Sequence, residues 1–142
     1  MKIAIGSDHG GFDYKKAIMT MLETKGYDFK DFGTYTNDSC DYPVFAKSVA
    51  NAVANGEFDR GILICGTGIG MSITANKFKG IRAALCSDLF SAKATREHNN
   101  SNILCLGERV IDKELALKIA DIWLETPFSE DERHIRRIKM IE

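Results

Sequence analysis

Short apolar runs alternate with longer amphipathic stretches along the whole chain, the pattern of strand and helix units packed around a parallel sheet. Ile62-Leu63-Ile64 and Ile103-Leu104-Cys105-Leu106 are not interrupted by polar residues, as expected of strands covered on both faces. The pattern predicts strands over Lys2 to Gly6, Asp28 to Phe32, Gly61 to Cys65, Ile81 to Cys86 and Ile103 to Leu106. Helices are expected over Phe12 to Lys25, Tyr42 to Asn55, Gly70 to Lys77, Leu89 to Glu97 and Lys113 to Leu124. Gly26, Gly56 and Gly80 stand where three of these elements should stop, suited to the left-handed residue that closes a helix. A last amphipathic helix is expected from about Ser129 to Ile141, beyond Pro127, with Glu130, Asp131 and Glu132 in its first turn. Its stripe of Ile135, Ile138 and Ile141 implies that it packs on something, a second subunit being one candidate. No repeat or linker divides the chain, so residues 1–142 read as a single doubly wound α/β domain with a five-stranded parallel sheet and an extra C-terminal helix.

Composition narrows the function. The chain has 142 residues, 44% of them hydrophobic, which suffices for a real core and excludes disorder as the main state. With 19 basic and 20 acidic side chains it has no field to attract a polyanion, so nucleic acid is not an expected partner. No apolar stretch is long enough for a membrane span, and Gly6-Ser7-Asp8 interrupts the first apolar run too early for a signal peptide. A cytoplasmic protein without membrane association is expected. Cys40, Cys65, Cys86 and Cys105 form no CxxC pair and lack histidines at zinc-finger spacing. Cys86 and Cys105 read as buried thiols acting as small hydrophobes.

Ligands of doubly wound sheets bind beyond the carboxyl ends of the strands. Those ends carry Gly6-Ser7-Asp8-His9-Gly10-Gly11, Cys65-Gly66-Thr67-Gly68-Ile69-Gly70 and Gly107-Glu108-Arg109, so polar and glycine-rich residues should gather on one rim. Three alternate glycines between a strand and a helix let backbone N–H groups approach an anion, either a phosphate or an enolate-like oxygen. Named motifs fail on particular residues. GxGxG replaces the dinucleotide GxGxxG, Met71-Ser72 replaces the Walker Lys-Ser/Thr pair, and Met71 stands where a cysteine phosphatase needs arginine. A free thiol is mostly protonated at neutral pH, and a helix N-terminus favours its reactive thiolate form, so Cys65 reads either as a nucleophile or base or as the last core residue of a strand. His9 and His98 lie in polar segments near strand ends and read either as catalytic groups or as ordinary surface histidines; metal binding by His9, Cys65 and His98 has no local spacing in its favour. Arg133 and Arg137 share one helix face, with Arg136 one step around it, and read either as a solvated face or as a two-pronged anion clamp.

Taken together, Gly6-Ser7-Asp8-His9-Gly10-Gly11-Phe12, Asp41-Tyr42-Pro43, Cys65-Gly66-Thr67-Gly68-Ile69-Gly70, Ala75-Asn76-Lys77, Gly80-Ile81-Arg82-Ala83 and His98-Asn99-Asn100 resemble the type B ribose 5-phosphate isomerases, a family that includes galactose 6-phosphate and allose 6-phosphate isomerases. The resemblance runs in order over essentially the whole chain. It implies a Rossmann-like three-layer fold and interconversion of an aldose and a ketose phosphate through a cis-enediolate, with neither metal nor organic cofactor. It implies a homo-oligomer, a dimer or a dimer of dimers, with active sites shared between subunits. By the same resemblance Cys65 is the base for proton transfer, the position of a glutamate base in other members being Met71 here. His98 and Thr67 match the ring-opening pair and Asp8 a residue that binds sugar hydroxyls, while Asn99 and the amides of Gly66, Gly68, Ile69 and Gly70 would face the enediolate. His9, Arg109, Arg133 and Arg137 match the phosphate grip, and Tyr42 a pocket-lining position. Ribose 5-phosphate is the expected substrate. The alternatives are a six-carbon sugar phosphate or, in a different class, a nucleotide- or phosphate-binding module without chemistry.

Overall fold

The computed structural model describes all 142 residues. Five strands, β1 (Lys2–Ser7), β2 (Asp28–Asp31), β3 (Arg60–Cys65), β4 (Ala83–Leu85) and β5 (Ile103–Gly107), form one parallel sheet in the order β2-β1-β3-β5-β4. A short 3-10 turn over His9–Gly11 leads into α1 (Phe12–Thr24); the other helices are α2 (Tyr42–Ala54), α3 (Ile69–Ala75), α4 (Leu89–Asn99), α5 (Lys113–Glu125) and α6 (Glu132–Ile141). None is long and apolar enough to cross a membrane.

The uninterrupted apolar runs have the predicted cause. Ile62, Ile64, Leu104 and Leu106 face one core with α1, α4 and α5, whereas Leu63, Cys65, Ile103 and Cys105 face a second core with α2 and α3. The period of two thus sorts each strand between two helical layers. The order in which strands are laid down reverses at β1, since β2 lies on one side of it and β3 on the other. The crevice beyond the carboxyl ends of β1 and β3 is therefore the switch point at which such sheets bind ligands.

Several boundaries differ from expectation for local reasons. β4 is three residues long rather than six: at its start the Ile81 N–H turns back to the Phe78 carbonyl and the Arg82 N–H donates to Asn102 Oδ1 instead of to a strand carbonyl. α4 runs past Glu97 to Asn99, so His98 and Asn99 occupy its last turn rather than a loop; Asn100 closes it with φ of 45°. α6 begins at Glu132, not Ser129, with Asp131 as the cap accepting the Arg133 N–H at 3.0 Å; Glu130 lies outside with φ of 60°. The one buried residue of α6 is His134, and Ile141, from the predicted apolar stripe, is 64% exposed.

Candidate active site

The first and third strands deliver their polar loops to the same place. The Asp8 N–H donates to the Ile64 carbonyl at 3.3 Å, and the Glu108 and Arg109 N–H groups donate to Cys65 and Gly66 carbonyls at 2.9 and 3.0 Å. Close approach of these loops requires glycine. A Cβ on Gly11 would lie 2.4 Å from the Ile64 carbonyl oxygen, and Gly68, with φ of 77°, would set one 2.9 Å from the Leu106 carbonyl. At these two positions the missing side chain makes room for neighbouring protein backbone, a packing demand that the anion-cradle reading of the sequence did not include.

The result is a groove of about 430 Å³ lined by Asp8, Tyr42, Cys65, Gly66, Thr67, Ile69, Gly70 and Arg109, together with Ile73. Cys65 is 5% exposed and its Sγ accepts the Gly68 N–H at 3.1 Å, a bond that strengthens as the sulfur gains negative charge. Thr67 Oγ1 accepts the Ile69 N–H at 3.2 Å. Two of the amides expected to face an enediolate are thus engaged by side chains of the same loop, leaving Gly66, Thr67 and Gly70 without hydrogen bonds in the chain. Asp8 is 7% exposed, and its Oδ1 has no hydrogen-bond partner. A carboxylate oxygen in that state is costly unless a ligand hydroxyl meets it. The Arg109 guanidinium lies over Gly66, with Nη1 3.3 Å from where a Cβ would stand. Tyr42 packs against Gly70 in the same manner, consistent with a wall.

His9 adjoins the groove through Asp8, and its Nδ1 accepts the Cys40 N–H at 3.2 Å. Cys40 was given no role from sequence, because only the fold brings a residue thirty-one positions away against this ring. Lys15 was missed for a similar reason. It is 1% exposed, pairs with Asp31 and donates to the Thr34 carbonyl, tying α1 to the loop that leads towards Cys40.

Four predicted residues do not join this groove within one chain. His98 and Asn99 end α4 at the amino edge of the sheet, where Arg82 holds the Asn99 carbonyl and Asn102 accepts the Gly61 N–H. Gly61 and Cys65 are four residues apart on β3, about 13 Å along the strand. His98 and Asn99 are exposed, as are Arg133 and Arg137 on α6, which packs on α4. The loop expected to bring His98 near the strand ends is instead a helix terminus at the opposite edge. His9, Cys65 and His98 consequently do not converge on one point, and no cluster of three metal-ligating side chains is present.

Fold and groove define a three-layer α/β protein with a thiol at the switch point of its sheet. A model of the family described as Ribose/Galactose Isomerase matches residues 3–141. The structure named Ribose-5-Phosphate Isomerase B from Clostridium thermocellum superposes with a TM-score of 0.97 at 55% identity, covering 99% of this chain and 95% of that one. Ribose-5-phosphate isomerase B of Escherichia coli is 50% identical over 140 residues, 99% of this chain and 93% of the relative. Galactose-6-phosphate isomerase subunit LacB of Clostridium acetobutylicum is 41% identical over 142 residues, all of this chain and 82% of the relative. The chain belongs to the ribose/galactose isomerase family and is, with it, a sugar-phosphate isomerase.

Proposed function

We propose that residues 1–142 act as one isomerase domain interconverting ribose 5-phosphate and ribulose 5-phosphate. The observation that carries this reading is the Cys65 thiol opening on a groove that also holds the unpartnered Asp8 oxygen and three free amides. In the proposed sequence Asp8 fixes a sugar hydroxyl, and His9, Arg109, Arg133 and Arg137 hold the phosphate. His98 and Thr67 pass protons between the C1 hydroxyl and the ring oxygen to open the sugar. The Cys65 thiolate then takes the C2 proton and returns it to C1, while the hydroxyl proton moves from O2 to O1. Negative charge on the enediolate oxygens is met by Asn99 and the Gly66, Thr67 and Gly70 amides. Loss of one such donor typically costs about 3 to 4 kcal/mol of transition-state stabilisation. None of these steps calls for a metal or an organic cofactor.

Because His98, Asn99, Arg133 and Arg137 stand at the far edge of the sheet from Cys65, the site is proposed to form between two copies of the chain. One copy supplies the thiol groove and its neighbour the exposed α4 and α6 residues. The identity to a galactose-6-phosphate isomerase subunit favours a six-carbon sugar phosphate as the second reading.

The test is hydrogen exchange. The wild-type protein should move solvent deuterium into C1 or C2 of recovered sugar, whereas Cys65→Ala should bind the phosphate and incorporate none. Full exchange by Cys65→Ala would remove the proposed base. Comparing kcat/KM on ribose 5-phosphate, allose 6-phosphate and galactose 6-phosphate decides the substrate.

A further inference from the structure

His98 is one half of a stacked pair. Its ring lies against that of His134 with centroids 4.4 Å apart and planes 21° from parallel. The two residues come from different helices, and His134 is the only buried residue of α6. The helix is therefore anchored on α4 by an imidazole set against an imidazole, although its sequence offers isoleucines for the task. Asp131 caps α6 so that Arg133 and His134 fall in its first turn.

We propose that His134 is the positioning residue for His98, fixing the plane of that imidazole for sugar-ring opening in the neighbouring subunit; this rests on the reading of His98 given above. An exposed histidine at a helix end is free to turn about both its side-chain torsions. A flat ring held against one face removes most of that freedom, and a proton-transfer group must be aimed before the sugar arrives. His134 also suits the task electrically. Burial lowers its pKa, the neighbouring His98, Arg133 and Arg137 lower it further, and only Asp131 opposes them. A neutral partner holds the ring without competing for the proton that His98 must carry.

The experiment compares His134→Ala, His134→Phe and His98→Asn on two sugars. Ribose 5-phosphate closes into a ring, whereas an aldotetrose 4-phosphate has its only suitable hydroxyl esterified and stays open. His134→Ala should lower kcat on ribose 5-phosphate on the order of 10-fold to 100-fold at unchanged KM. It should leave proton exchange of the tetrose phosphate intact. His134→Phe, which keeps a flat ring in place, should restore most of the lost kcat. In parallel, the His98 Cε1–H resonance should lose its ring-current shift in His134→Ala and keep one in His134→Phe. Equal losses on both sugars, a raised KM without loss of kcat, or an unmoved His98 resonance in His134→Ala would each overturn the proposal. If His98→Asn is selective for the cyclic sugar and His134→Ala is not, the positioning role alone falls. If His98→Asn slows both sugars alike, the ring-opening reading falls and the positioning role with it.

Discussion

The backbone N–H of Cys40 donates to Nδ1 of His9 across 3.2 Å, so this ring nitrogen is an acceptor. The neutral ring then carries its proton on Nε2 and offers that N–H to a bound anion. Nitrogen-15 shifts of the substrate-free protein should report His9 as the Nε2–H tautomer, and a protonated Nδ1 would contradict the bond. Replacing Cys40 by Ser should leave this tautomer unchanged, because the donor is backbone.

The four thiols should separate by chemistry. Burial pushes Cys86 up to about 11 and raises Cys105 well above the ordinary thiol value, so both remain protonated near neutrality. Alkylation requires thiolate and access. Brief iodoacetamide treatment at pH 7.5, followed by peptide mass analysis, should modify Cys65 and Cys40 while sparing Cys86 and Cys105. Activity should fall with the Cys65 adduct, and ribose 5-phosphate should slow its formation.

Gly11→Ala tests the packing of the first loop on the third strand. The added methyl would sit 2.4 Å from the Ile64 carbonyl oxygen and 2.5 Å from its carbon, and backbone yields less readily than a flexible side chain. Overpacking of this kind costs about 1 to 3 kcal/mol, equivalent to several degrees in the melting temperature of a chain this size. An unaltered Tm would show that the strand and loop part freely.

The lowered pKa of His134 fixes the sign of one pH effect. Below about 6.5 the unfolded chain takes up a proton that the folded chain refuses. This contribution destabilises the fold as pH falls through that value, and it levels off once the folded His134 also protonates. Urea midpoints should drop between pH 7.5 and 5.5 by more in the wild type than in His134→Phe. Equal drops would place the proton elsewhere.

The architecture was legible because both helical layers leave their mark on the strands. Ile62-Leu63-Ile64 has no polar member since Ile62 and Ile64 meet one layer and Leu63 the other. The placement of the candidate residues at the strand ends was legible too, since strand ends fix where Asp8, Cys65 and Arg109 emerge. The position of His98 was not. Asn99 and Asn100 can each close a helix as glycine does, so the sequence alone does not say which of them ends α4. His134 escaped notice because periodicity weighs isoleucines above a histidine, whereas here the stack across α4 decides which face is covered. Lys15 was hidden for the converse reason: a lysine on an amphipathic helix reads as solvated until Asp31 and the Thr34 carbonyl are brought to it by folding.

The separation of His98 from Cys65 by the depth of the sheet has a genetic corollary. If every centre borrows from two polypeptides, as proposed, defective alleles can rescue each other. Purified Cys65→Ala and His98→Asn proteins, each strongly impaired on ribose 5-phosphate, would regain activity on it after being dissociated and reassociated together. In a random equimolar mixture half the dimers are hybrids, and each hybrid has one undamaged centre, so about a quarter of all centres recover.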